Sequence, residues 1–267
     1  MPTGTGADLE EVLTRGELTP LGRISGSSNG ALLCQVGDPA DGLLAIHKPQ
    51  ATERRLWDYP DGTLVERERA AYLVSEAGGF GVVPPTVLRS GPLGRGSVQL
   101  WVGDTAGLEP DPLVDVLDPA EVPDGWLVVL EGESTYGEPV VVAHSPEPVL
   151  RTVAVLDAAL NNSDRKGSHV LRDGDVVRGC DHGVSLSVEP KLRTVLWGWA
   201  GDELPEADLE RLDRLDAALA DGLTDDLAPL LTVDEVGALR HRVTMLLRRR
   251  THPRPRGGWP AIPWPAL

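Results

Sequence analysis

The chain has 267 residues, 41 of them acidic against 25 basic, for a formal net charge of −16, and 41% of it is hydrophobic. That is enough apolar material for a core, so global disorder is excluded, and the length fits one large domain or two lobes sharing a cleft. So acidic a surface repels phosphate backbones and anionic lipid, which excludes bulk nucleic-acid binding and argues against stable membrane association. No run approaches the roughly 18 apolar residues of a membrane span. The first residues, MPTGTGADLEEV, lack the basic-then-apolar profile of a signal peptide. Two cysteines, Cys34 and Cys180, make no disulfide framework, so a cytoplasmic location is expected.

In chain order, Asp8 to Leu18 reads as an amphipathic helix. Strands over Leu21–Ile24 and Ala31–Val36 flank the small polar run Gly26-Ser27-Ser28-Asn29-Gly30, a hairpin signal. Residues 42–49 form an apolar strand that delivers Lys48 at its end. A helix starts near the N-cap Thr63, with Leu64, Ala70, Ala71 and Val74 at helical spacing and Glu66 and Glu68 in its first half. After Pro84-Pro85, strands over Thr86–Leu88 and Ser97–Val102 complete a mostly antiparallel sheet with one helix packed on it. Residues 103–124, rich in Asp, Pro and Gly, read as a connector. Then come strands at Trp126–Leu130 and Pro139–Ala143, a helix at Val149–Leu160 and a polar loop from Asn161 to His169. A short hairpin follows (Val170–Leu171, Val176–Cys180), then helices Glu206–Ala220 and Val233–Arg250 and a Pro/Trp tail. The pattern predicts an α+β chain with a β-rich N-terminal lobe over 1–102 and a mainly helical C-terminal lobe over 103–267.

Four pieces carry chemistry together: Lys48 at a strand end, Glu68 twenty residues on, the loop Asn162-Ser163-Asp164-Arg165-Lys166-Gly167-Ser168-His169, and Asp181 after a short hairpin. Phosphoryl transfer from ATP needs these types: a lysine for the phosphates, a helix carboxylate holding it, an aspartate for the attacking hydroxyl and two ligands for Mg²⁺. In protein kinases a metal ligand stands five positions after the catalytic aspartate; here that position is His169, after Asp164. The bland alternatives are a solvated strand lysine, a surface glutamate, a turn built on Asn and Asp, and a structural histidine.

The stretch Asp164–Leu171 resembles the Asp-Arg-His-x-x-Asn catalytic loop of phosphatidylinositol 3- and 4-kinases and their HipA-like relatives. More closely, Lys48-Pro49, the run from Trp57 to Leu64, Val83-Pro84-Pro85-Thr86, Gly96–Leu100, Asn161–Leu171 and Glu189–Trp197 resemble small actinobacterial phosphatidylinositol 3-/4-kinase-like proteins over roughly residues 17–265. The resemblance implies a bilobal protein-kinase-like fold. It implies that Lys48 binds ATP phosphates, Glu68 pairs with it, Asp164 is catalytic, and Asp181 binds Mg²⁺ or Mn²⁺ with His169. It further implies that Ser27, Ser28 and Asn29 face the phosphates and that Gln99, Leu100, Trp101 and Val102 form the strand that reads adenine. Lys166 stands at the family's His position and His169 at its Asn position, a softer donor for Mg²⁺. The expected function is transfer of phosphate to an unidentified hydroxyl acceptor, small molecule or protein rather than lipid. The alternatives are a pseudokinase-like nucleotide-binding module and an AMP transferase on the same fold. Two features stay outside this picture: the arginines at 240, 242, 248, 249, 250, 254 and 256, which show no single face, and the tail from Trp259 to Pro265, expected to clamp through its tryptophans.

Overall fold

The computed structural model describes residues 6–24, 30–54, 56–60, 62–103, 112–257 and 260–267. Five antiparallel strands form the N-terminal sheet: β1 (Leu18–Arg23), β2 (Leu32–Val36), β3 (Leu43–Pro49), β4 (Thr86–Gly91) and β5 (Gly94–Leu100), in the order β1-β2-β3-β5-β4. Val36, Ala45, Val87 and Val98 pack on one face under Leu13 of α1 (Gly6–Arg15). α1 stops three residues earlier than expected. At Gly16 the chain already turns against β2, where an added Cβ would lie 2.8 Å from Val36 Cγ1.

The helix expected on this sheet, α2 (Leu64–Gly78), touches β4 and β5. Its buried Ala70, Ala71, Tyr72 and Val74, however, join a second, larger core built by the C-terminal helices. Arg67 of α2 explains the orientation. Its guanidinium is buried and donates to Ser185 O and to the Glu235 carboxylate on α6 (Val233–Arg249). A capping box between Thr63 and Glu66 opens α2, and Gly79, in the left-handed region, closes it.

The expected connector holds a strand, β6 (Val114–Leu117), which pairs with β8 (Pro139–His144); β7 (Leu127–Glu133) lies on the other side of β8. The Asp- and Pro-rich flanks obscure this short apolar segment. The almost wholly buried α3 (Pro148–Leu160), the hairpin β9 (Val170–Asp173) and β10 (Val176–Gly179), α4 (Glu206–Ala220), the short α5 (Leu223–Leu227) and α6 complete the chain. It is a mixed α/β fold, β-rich at its N-terminal part and helical toward its C-terminus. Among the described residues no helix is long and apolar enough to cross a membrane. The tail does clamp, through its backbone carbonyls and not through Trp264. Ala261 O accepts from Thr194 N and Trp197 Nε1, Ala266 O accepts from Gly167 N, and Trp264 is 88% exposed. Trp259 lies outside the described residues.

Buried His47 of β3 faces Gly96 on the paired β5 and Gly91 on β4, and a Cβ on Gly96 would lie 2.2 Å from Lys48 O and 2.7 Å from His47 Nε2. Gly96→Ala is therefore expected to cost about 1–3 kcal/mol by overpacking the strand that presents Lys48. Urea unfolding checks it; an unchanged midpoint contradicts the close approach.

Candidate active site

Three segments deliver charge to one point. β3 ends with Lys48, the second turn of α2 presents Glu68, and β10 runs out at Gly179 into Asp181, whose backbone is left-handed (φ 59°). Lys48 Nζ donates to Glu68 Oε1 and, at 2.8 Å, to Asp181 Oδ1. Glu68 is 2% exposed, and its other oxygen accepts the His182 N–H at 3.1 Å. Burial alone would pull the Lys48 ammonium down, but the charges of Asp181 and Glu68 more than reverse it and hold its pKa above the usual lysine value. Lys48 in turn holds Asp181 well below the usual carboxylate range, whereas burial pushes Glu68 up against the pull of Lys48.

The Asp181 carboxylate is about half open to solvent, with His169 Nε2 lying 3.2 Å from its second oxygen. Burial lowers His169 to about 4, opposed by Asp181, so the imidazole is neutral at pH 7, the form that ligates metals. Its Nδ1 is buried without a partner among the described residues. One ionised carboxylate beside one neutral imidazole fits a divalent cation whose remaining ligands are phosphate oxygens and water. No group of three His, Cys, Asp or Glu side chains assembles among the described residues.

Asp164 follows the left-handed C-cap of α3, Asn161 (φ 56°). Its N–H donates to Asn162 Oδ1, and Lys166 Nζ lies 3.6 Å from its carboxylate. Burial raises its pKa, Lys166 lowers it, and the charge of Asp181 raises it again. On the strand assigned to adenine, Gln99 is buried and donates from Nε2 to Thr86 Oγ1. The N–H groups of Leu100 and Trp101 go to Pro85 O and Leu44 O, so Val102 is the first residue there whose N–H has no partner among the described residues. Ser27, Ser28 and Asn29 lie outside the described residues.

No family model matches the chain. It is 46% identical over 268 residues to protein Rv2133c of Mycobacterium tuberculosis, covering 97% of this chain and 96% of that one. The chain belongs to the Rv2133c family. Among solved structures, hydra Fam20 with sugar aligns at a TM-score of 0.55 and 14% identity, covering 91% of this chain and 87% of that one. The Golgi casein kinase, also solved with Mn/ADP bound, aligns at 0.54 and 12%, covering 91% and 75%. At such identities the likeness is one of fold: this Rv2133c-family chain has a kinase-like fold of the Fam20 type.

What motif spacing missed is the group that holds the loops together. Arg165 has no solvent exposure and makes a bidentate pair with Asp157 of α3 at 2.8 and 2.9 Å. It donates to His169 O at 3.1 Å and Cys180 O at 2.7 Å, and Nη2 lies 2.8 Å from His182 Nε2. The available signal was Asp157 itself, the lone carboxylate of α3 and set among apolar neighbours. Removing one partner of a buried pair strands the other's charge. Asp157→Ala is thus expected to cost about 3–5 kcal/mol, read by chemical denaturation. A loss below about 1 kcal/mol, the size of a surface pair, contradicts this role.

Proposed function

We propose that this member of the Rv2133c family is an ATP- and divalent-metal-dependent phosphotransferase acting on a hydroxyl acceptor. The observation that carries the reading is Lys48 clasped between Glu68 and Asp181, residues 20 and 133 positions away that no local structural need brings together. The Fam20-type fold supports it, as does the Mn/ADP bound to the Golgi casein kinase. The resemblance to small phosphatidylinositol 3-/4-kinase-like proteins points the same way.

In this reading Lys48 places a point charge on the nucleotide phosphates and Glu68 fixes its direction. Asp181 and His169 hold a divalent cation, which when bound supplies charge neutralisation at the phosphates. Asp164 aligns the acceptor hydroxyl and accepts its proton, and the upward shift from burial moves it toward a base matched to neutral pH. The uncommitted Val102 N–H is the donor offered to adenine. A net charge of −16 opposes docking on anionic bilayers, which favours a soluble small molecule or a protein as acceptor over a lipid.

Asp181→Ala is expected to abolish thermal stabilisation by ATP with Mg²⁺ or Mn²⁺, while Asp164→Ala keeps that stabilisation and loses phosphate transfer by roughly 10²-fold or more. Thermal shift and transfer of labelled γ-phosphate read the two. If the wild-type protein shows no metal-dependent shift with nucleotide, the reading fails. One feature favours a holding module instead: both Asp181 oxygens are already engaged, by Lys48 and His169. Stabilisation by nucleotide without consumption of ATP by wild-type protein selects that alternative.

A further inference from the structure

The arginines that showed no common face in sequence are sorted by the fold. Arg250 closes α6 in the left-handed region (φ 53°), which turns the chain back. The returning segment is pinned by bonds between Gly201 N and His252 O, His252 N and Asp202 O, and Leu204 N and Arg250 O. Arg242 and Arg249 of the helix and Arg254 and Arg256 of the returning segment thereby line one cavity of about 670 Å³. Arg250 itself leaves to pair with Glu206. Neither Lys48, Glu68, Asp164, His169 nor Asp181 lines this cavity.

Its composition is unlike the rest of the molecule. In a chain of net charge −16, five fixed cations line it and no Asp or Glu does. Lys191 is answered by Asp58 at 3.1 Å. Arg249, Arg254 and Arg256 make no ion pair among the described residues. Arg242 donates to Ala159 O and Ser187 O, and its Nη2 has no partner among the described residues. Burial lowers Arg242 to about 10, opposed by Tyr59 and Glu235. Leu192, Trp197 and Met245 supply an apolar wall. The volume lies within the roughly 300–1,000 Å³ of small-molecule sites.

We propose that this cavity between α6 and residues 251–256 is a second ligand site, for a small organic anion carrying two or more phosphate or carboxylate groups. Guanidinium forks match both groups, and the wall of Trp197 and Leu192 takes the carbon body. Because the cations are already in place, binding needs no metal.

The test is calorimetric titration of the full chain with tripolyphosphate and, separately, citrate, in low salt with EDTA present. Saturable binding of either at one site per chain is expected, about tenfold or more weaker in the double variant Arg249→Gln/Arg254→Gln. Both positions are exposed, so the variant's unliganded melting temperature should match wild type. Response to tripolyphosphate alone identifies a phosphate ligand, response to citrate alone a carboxylate ligand, and response to both the shared chemistry. Lys48→Met is expected to bind the probes as wild type does, which separates this site from the nucleotide cleft. No binding of either probe at about 1 mM, binding indifferent to the arginine variant, or binding lost in Lys48→Met overturns the proposal.

Discussion

A guanidinium without solvent access must have its charge and its protons answered by protein, and Arg165 imposes that demand on three segments at once. Asp157 supplies the counter-charge from α3, and the carbonyls of His169 and Cys180 accept from the near side of the fork. His182 Nε2 sits at Nη2, from which Asp157 also accepts. The loop carrying Asp164 and the strand end carrying Asp181 are therefore positioned relative to one buried side chain as well as by their own backbone bonds, Cys180 N to His169 O and Ser163 N to Val184 O. Hydrophobic packing alone would not set that spacing, because dispersion is non-directional while a bidentate pair is not.

The clasp on Lys48 depends on this arrangement. Asp181 can reach the ammonium only because its left-handed backbone turns the carboxylate back from the end of β10, where Arg165 has tied the preceding carbonyl. The same ammonium that would meet a phosphate is neutralised by two carboxylates while no nucleotide is bound. On the proposed reading a triphosphate would displace Asp181 from Lys48, and a divalent cation taking Asp181 would make that exchange favourable. Nucleotide and metal binding would then be coupled through the Asp181 carboxylate for an electrostatic reason.

How much of this was legible in sequence follows from how local each feature is. Strand and helix alternation placed Lys48 at the end of β3 and Glu68 on α2, and Thr63 marked the start of that helix because capping is a four-residue event. That α1 shares the N-terminal sheet with α2, whose buried face turns to the larger core, was hidden, since the choice turns on Arg67 meeting Glu235, 168 residues apart. β6 was missed because four residues are too few for a period to show against acidic flanks. Asp164, His169 and Asp181 were readable as a spaced set. The group that organises them was visible only through the lone acid of α3, whose partner no spacing rule names.

The cleft and the basic cavity differ in charge composition more than in distance along the chain. Asn161, three residues before Asp164, accepts the Lys191 N–H and donates to Ser187 O and Glu189 O, so the cavity wall runs into the loop that carries Asp164. In the cleft each cation already has a carboxylate: Lys48 has Glu68 and Asp181, and Lys166 has Asp164. Glu68, Asp181 and Asp164 outnumber the two ammoniums they pair with, so on the proposed reading a triphosphate would enter together with added positive charge. Around the cavity Arg249, Arg254 and Arg256 have no ion pair among the described residues, so an anion is attracted with nothing added. Coulomb energies in partly desolvated sites are large enough that this difference decides what each site accepts. The left-handed turn at Arg250 is what makes the second site, because it brings guanidiniums from the helix and from the returning chain onto one concave wall.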